Sequence, residues 1–451
     1  MFGNRQMNMC DGSLWRKIFV FALPLFFSNI LQLLFNAADL MVLGRYAPHE
    51  DMAAVGASGA LTGLIASVFI GVSMGANVLA ARYFGGKDRL KVRTTVETAM
   101  ATAVYGGFLM VIVGLLAAPP CLRWMGTPPN VLDKAVLYVR IIMLGAPIMM
   151  VYNYGYSVLR ALGDTVRPFF FLALAGIINV LLNLLTVIVF KMGVAGVAVA
   201  TVFSQAVSAV LVLNALLNNR GYHLNWHRLK FNRPVFAEML KIGIPSGLQG
   251  GCFALSNMVV QSSVNSLGSY AVAGSAAAGS IEGIIWVMSF SFHMTAVPFA
   301  AQNLGGKKID RVVKSLRICM FYSVVLCLLS GIPCAVYAKE LVGFFNPDAQ
   351  VVLWGARRLV ILAFFYWVCA LMDVSSGCLR GLGYSGTSAA SSLAGVCGLR
   401  LLWIWLVFPH FRTMENLMWC YPLSWIAVAG FNYFLLKHII RKISFRSRLH
   451  L

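Results

Sequence analysis

A carboxylate inside an apolar run calls for a reason, and Asp39 is the first such residue along this chain. A charge at the centre of a membrane span costs about 2.5–3.5 kcal/mol on insertion scales. Ser28, Gln32, Asn36 and Asp39 recur at spacings of 4, 4 and 3, which puts all four on one helical face. Such a polar stripe belongs against the protein interior or a wet cavity. A carboxyl carried between wet and dry surroundings takes up and releases a proton, so Asp39 is the leading candidate for proton or cation exchange. The alternative is a carboxylate that reaches the membrane interface close to Arg45.

Further candidates sit in later apolar runs. Asn179 and Asn183 lie one turn apart, and Thr201 and Gln205 form a similar pair. Either pair fits cation or proton handling, or ordinary interhelical hydrogen bonding. Glu282 and Asp373 are candidates for the same chemistry, the other reading being a buried ion pair such as Asp373 with Arg400. His293 reads as a packing histidine, although an unperturbed pKa of about 6.5 permits proton traffic. A cavity for hydrophobic cations wants aromatic faces and methionine. Phe35, Met149, Tyr152, Trp286, Met288 and Phe290 are candidate wall residues, with Gln32, Asn36, Asn153, Gln205, Asn257 and Gln261 as polar groups among them. Lipid contact or helix packing is the alternative for each aromatic one.

The elements that must position these residues are apolar helices. The chain of 451 residues is 59% hydrophobic and 11% charged. A spanning helix needs about 20 mostly apolar residues. Twelve spans are expected, at 18–43, 52–80, 95–118, 133–158, 168–190, 193–217, 236–265, 271–301, 315–337, 352–378, 388–408 and 416–437. Runs this continuous argue against barrel strands, which alternate with period two. The expectation is an all-α integral membrane protein.

The chain also repeats itself. Ala80-Ala81, three residues and Gly85-Gly86-Lys87 recur 220 positions on as Ala300-Ala301, three residues and Gly305-Gly306-Lys307. Leu159-Arg160-Ala161-Leu162-Gly163 recurs at the same separation as Leu379-Arg380-Gly381-Leu382-Gly383, and Pro24 and Asn36 recur 221 on as Pro245 and Asn257. One copied unit explains the shared register. The expected organisation is a six-helix lobe at 1–217, a polar cytoplasmic linker at 218–234 and a second six-helix lobe at 235–451. An even number of spans per lobe relates the two by a pseudo-twofold axis along the membrane normal.

The net charge of +21 does not point to nucleic acid. With both termini and alternate loops assigned to the cytoplasm, those segments hold 26 Lys and Arg against 9 on the opposite side, Arg357 and Arg358 counted among the latter. That loop-by-loop bias is the positive-inside pattern. The ten cysteines show no metal-ligand spacing and read as packing residues. No signal-peptide pattern precedes the first span, which is expected to stay in the membrane. No His-Glu metal motif, nucleophile elbow or phosphate loop appears, which argues against an enzyme or an ATP-driven pump. A channel stays formally open, but duplicated lobes favour alternating access.

Taken together, several motifs resemble those of the multidrug and toxic compound extrusion (MATE) family, over nearly the whole chain. They are Pro24 with Gln32, Asn36, Asp39 and Gly44-Arg45; Asn77-x-x-Ala80-Ala81-Arg82-x-x-Gly85; and Leu159-Arg160-Ala161-Leu162-Gly163-Asp164-Thr165-x-x-Pro168. Gly193-Val194-Ala195-Gly196-Val197-Ala198-x-Ala200-Thr201 and the Arg380-Gly381-Leu382-Gly383 echo complete the set. The resemblance implies twelve helices in two lobes and export of lipophilic or cationic organic compounds by alternating access, against inward H⁺ or Na⁺ and without a cofactor. It also implies a multi-pass protein of the plasma membrane with cytoplasmic termini, expected to be monomeric, whose partners are small organic molecules and lipid. Asp39 matches the family's first-helix acid. Asn183 stands where one branch has a second acid, and Asp373 is placed to match the tenth-span acid of another branch. A flippase for lipid-linked oligosaccharide, from the same superfamily, is the alternative function.

Overall fold

The computed structural model describes residues 6–218 and 230–449, apart from the side chains of 60 and 446–449. The described residues form a series of helices. The first half contains α1 (Leu14–Tyr46), α2 (His49–Gly85), α3 (Arg89–Trp124), α4 (Pro129–Leu144), α5 (Ala146–Ala161), α6 (Val166–Leu184) and α7 (Gly193–Leu217). The second contains α8 (Arg233–Asn265), α9 (Ser269–Gly305), α10 (Ile309–Val336), α11 (Ala338–Phe345), α12 (Ala349–Gly381), α13 (Ser385–Ser392), α14 (Leu399–Leu406), α15 (Met414–Met418) and α16 (Cys420–Leu449). A π-helical segment, Leu185–Val189, follows α6, and another, Leu393–Gly398, joins α13 to α14. Of the expected linker, residues 219–229 lie outside the described residues, and Arg233 and Pro234 already belong to α8.

Among the described residues, ten helical stretches are long and apolar enough to cross a membrane, and α4 with α5 makes an eleventh. The expected single span at 133–158 is instead that pair, bent by 52°. The break follows from its sequence. Pro147 has no N–H to give the preceding turn, and a Cβ on Gly145 would run into Val202. The expected span at 236–265 lies on α8, which has the length but not the composition. At 1.5 Å per residue its 33 residues reach about 50 Å. Ser246, Gln249, Ser256, Asn257 and Gln261 dilute its apolar character.

The chain divides into two compact units, Met1–Asn8 with Phe27–Gly251 and Met9–Phe26 with Cys252–Leu451. The early part of α1 thus packs within the second unit and the early part of α8 within the first. Inside each unit, glycines let backbones touch, which suits helices in lipid, where no hydrophobic force drives them together and close packing must hold them. In the first, a Cβ on Gly75 would strike the Met239 carbonyl, and one on Gly107 would strike Pro147. In the second, a Cβ on Gly274 would lie 2.6 Å from the Gly355 nitrogen, and one on Gly377 2.6 Å from the His293 carbonyl oxygen.

The duplication survives in the backbone. After α2 and after α9 the chain turns through a left-handed lysine, Lys87 at φ 59° and Lys307 at φ 58°. The Gly86 amide donates to the Arg82 carbonyl at 3.0 Å and the Gly306 amide to the Gln302 carbonyl at 2.8 Å. Gly163 and Gly383 turn at φ 89° and 91°, a conformation only glycine adopts readily. Asp88 then caps α3 by accepting from the Lys91 amide at 3.1 Å, which holds its carboxyl below the usual carboxylate range.

Gly274→Val should cost about 1–3 kcal/mol through overpacking. The expected outcome is a lower melting midpoint and less monodisperse protein in detergent, read by fluorescence size-exclusion after heating; an unchanged midpoint would contradict the α9–α12 contact.

Candidate functional site

In the first unit, one hydrogen-bonded chain links α1, α6 and α7. The Asn183 amide donates from Nδ2 to Asp39 Oδ1 at 2.5 Å and to Asn179 Oδ1 at 3.2 Å. Asn179 Nδ2 in turn donates to Thr201 Oγ1 at 3.5 Å, and Thr201 donates to the Val197 carbonyl at 2.9 Å. The sequence builds this locally. Asn179 and Asn183 are i, i+4 on α6 and so share a face. Gly176, one turn earlier, leaves the slot that the Phe35 ring fills. Asp39, one turn beyond Phe35 on α1, is thereby brought level with Asn183. The π-helical segment begins two residues after Asn183, a backbone irregularity common beside functional groups.

What sets Asp39 apart is the nature of its partner. Asp39 is partly buried, and the fully buried acids of this unit each have a base: Asp51 with Lys134 at 2.5 Å, Glu97 with Arg93 at 2.7 Å, and Asp164 with Arg167. Among the described residues, no basic side chain lies within 4.0 Å of Asp39, whose partner is a neutral amide. Asn183 Oδ1 is buried and has no donor among the described residues. One carboxylate and the neighbouring amide and hydroxyl oxygens form a hard-oxygen set for a proton or a monovalent cation.

The second unit holds a cavity of about 440 Å³. Its walls include Asn257, Gln261, Glu282, Trp286, Asp373 and Arg400. Glu282 is engaged in a two-pronged pair, accepting from Arg358 Nε at 2.9 Å and Nη2 at 2.8 Å, while Arg358 Nη1 donates to Ser275 Oγ at 2.5 Å. Asp373 Oδ2 accepts from Ser289 Oγ at 2.9 Å. His293 Nδ1 lies 2.7 Å from the Asp373 carbonyl oxygen and its Nε2 3.3 Å from Arg380 Nη1, so it ties α9 to α12.

The MatE family pattern matches residues 24–185 and again 245–406. The chain belongs to the MatE family. The two matches are offset by 221 positions at both ends, which is the duplication read as one domain occurring twice. The chain is similar to the probable multidrug resistance protein YoeA of Bacillus subtilis (strain 168), at 27% identity over 94% of this chain and 95% of the relative. Its fold is that of an outward-facing multidrug resistance MATE family transporter of the MOP superfamily (TM-score 0.91, 18% identity, 98% of this chain and 100% of the other). It is also that of the Vibrio cholerae MATE transporter VcmN (TM-score 0.89, 20% identity, 95% and 97%). This MatE chain is accordingly a multi-pass membrane protein of a transporter family.

Asp39, Asn179, Asn183 and Thr201, singled out separately in the sequence, therefore meet in one hydrogen-bonded chain, with Gln205 half-buried one turn beyond Thr201. Gln32 and Asn36 are exposed on α1. No hydrogen bond joins Asn153 to this chain among the described residues. It donates to the carbonyl of Met149 in its own helix at 2.8 Å, and Tyr152 stacks on Tyr156 with centroids 6.0 Å apart.

In the second unit, Trp286 stacks on Phe290 at 4.8 Å and Phe290 on His293 at 5.6 Å. Met288 instead borders a separate apolar crevice with Phe19, Leu23 and Phe292, because residues two apart point to opposite sides of a helix. The Asp373–Arg400 pair considered from sequence does not form. The buried pair is Glu282 with Arg358, a residue assigned by hydropathy to a helix end but largely buried inside α12. Arg160, counted as a loop charge, is likewise buried, with its guanidinium carbon 5.3 Å from the Tyr156 ring centroid. Arg358 was within reach of the sequence: it is a charge nine residues into a long helix with no neighbouring acid.

Arg358→Met alone should cost about 3–5 kcal/mol, because it leaves Glu282 buried without its base. Adding Glu282→Gln should restore most of that loss. Melting midpoints of the single and double variants in detergent check the coupling; additive losses would show that the two side chains do not act as a pair.

Proposed function

We propose that this MatE chain is a secondary-active exporter. It moves lipophilic or cationic organic compounds out of the cell against inward H⁺ or Na⁺ by alternating access, in the plasma membrane with both termini cytoplasmic. The name of its relative YoeA, a probable multidrug resistance protein, supports the substrate class. The bias of 26 Lys and Arg against 9 supports the orientation. The observation that carries the coupling is the Asp39 carboxylate held by Asn183 rather than by a base.

The chemistry follows from what each side chain can donate. An ionised Asp39 only accepts, and it takes the Asn183 N–H. A protonated Asp39 carries an O–H and needs an acceptor. Asn183 Oδ1, buried and without a donor, becomes that acceptor when the amide turns over. The turn removes the N–H from Asn179 and so loosens the link from α6 to Thr201 on α7. Protonation thus favours a rearranged first unit and release of cargo outside, and loss of the proton on the cytoplasmic side restores the linked state. An ion shifts this balance only by its different affinity for the two states.

Efflux of a fluorescent cation from proteoliposomes under an imposed pH or Na⁺ gradient tests the reading. Asp39→Asn should lower gradient-driven efflux at least about tenfold, and unimpaired transport in that variant would sink the coupling assignment. Asn183→Leu removes one hydrogen bond to a charged group, worth about 1.5–3 kcal/mol, and should shift the gradient dependence while leaving the protein monodisperse. Swapping the two gradients on wild-type protein decides between H⁺ and Na⁺.

A further inference from the structure

The cavity in the second unit holds a buried cation that, among the described residues, forms no ion pair. Arg400 is 5% exposed and, among the described residues, has no acid within 4.0 Å. Its Nε donates to Ser424 Oγ at 3.2 Å and its Nη1 to Asn257 Oδ1 at 3.1 Å, with the guanidinium carbon 4.0 Å from the Tyr421 ring centroid. An arginine has five N–H donors, so most of the fork is left for something else. The Glu282–Arg358 pair closes on itself and adds no net charge. Asp373, on the same walls, is satisfied at one oxygen by Ser289. The space between is bounded by aromatic rings, Tyr366 and Tyr421 lying 5.3 and 5.8 Å from Trp425.

The duplication sharpens the point. Counted by the 221 positions between the ends of the two MatE matches, Arg400 falls at Asn179 and Asn257 at Asn36, with Asp39 and Asn183 at Val260 and Ile404; counted by the 220 of the Leu159–Gly163 repeat, Arg400 falls at Val180. The second repeat has a valine where the first has its acid, and its base stands at a different position of the unit.

We propose that the cavity of the second unit binds amphoteric aromatic compounds, with Arg400 gripping their carboxylate and Asp373 facing their cationic end. A guanidinium fork suits a carboxylate because both are planar and can share two parallel bonds. The rings supply stacking area for the body of the molecule. A volume of about 440 Å³ is within the range of drug-sized sites. The proposal rests on the export reading for its biological sense, and its test does not.

The test uses full-length protein in nanodiscs, without any gradient, and fluorescence anisotropy of two dyes: a rhodamine bearing a free carboxylate and the ethyl ester of the same rhodamine. Wild-type protein should bind the free acid at least about tenfold more tightly than the ester, as one charged hydrogen-bonded contact provides. Arg400→Gln should bring the two affinities within about twofold by weakening the acid alone. Equal binding of acid and ester by wild-type protein overturns the proposal, as does a preference that survives in Arg400→Gln. If that variant does not fold, the wild-type comparison of the two dyes decides. Preference without gradient-driven efflux counts against the export reading only, and efflux without preference counts against this site only.

Discussion

Hydrocarbon offers a charge nothing to bind, and that constraint organises both units of this protein. An ionic side chain within the membrane must find its counterpart inside the chain or be spared for a task. Most have found one. Asp51 holds Lys134, Asp164 holds Arg167, and Glu282 holds Arg358 through both carboxylate oxygens. Among the described residues, Asp39 and Asp373 are instead met by an amide and a hydroxyl, and Arg400 by an amide oxygen, a hydroxyl and a ring. The unmatched groups mark the candidate chemistry. The matched ones serve as its frame.

The two repeats have kept their backbone and changed their interior. The left-handed lysines and the paired glycine turns agree in φ to within a few degrees because the path of the chain between helices tolerates little else. Side chains facing the inside answer to whatever occupies the space, and they have diverged in sign. Where the first unit has a polar chain ending on a carboxylate, the second has an arginine held by Asn257 and Ser424.

Much of this was written in the sequence. Continuous apolar runs locate most spans because length and hydropathy alone decide whether a helix can cross. The Asp39 stripe was visible because i, i+4 spacing is a local property, and the duplication was visible because turns conserve their residue types. Other features depend on partners far away in the chain. Hydropathy placed Arg358 near a helix end, and only its contact with Glu282, 76 residues earlier, shows it to be interior. The need for glycine at 145 comes from Val202, 57 residues further along the chain. Trp286 and Met288 are equally apolar in the sequence, yet helical rotation sends them to different cavities. Span α8 is marginal by composition because its polar residues reach partners, as Asn257 reaches Arg400.

The division of α1 and α8 between units has a practical consequence. Each repeat lends the opening turns of its first helix to the other unit's compact body. A gene severed at the middle would therefore encode two polypeptides of which neither contains a whole compact body. Each fragment would need its complement present during insertion, and activity would return by co-expression, not by mixing separately purified pieces.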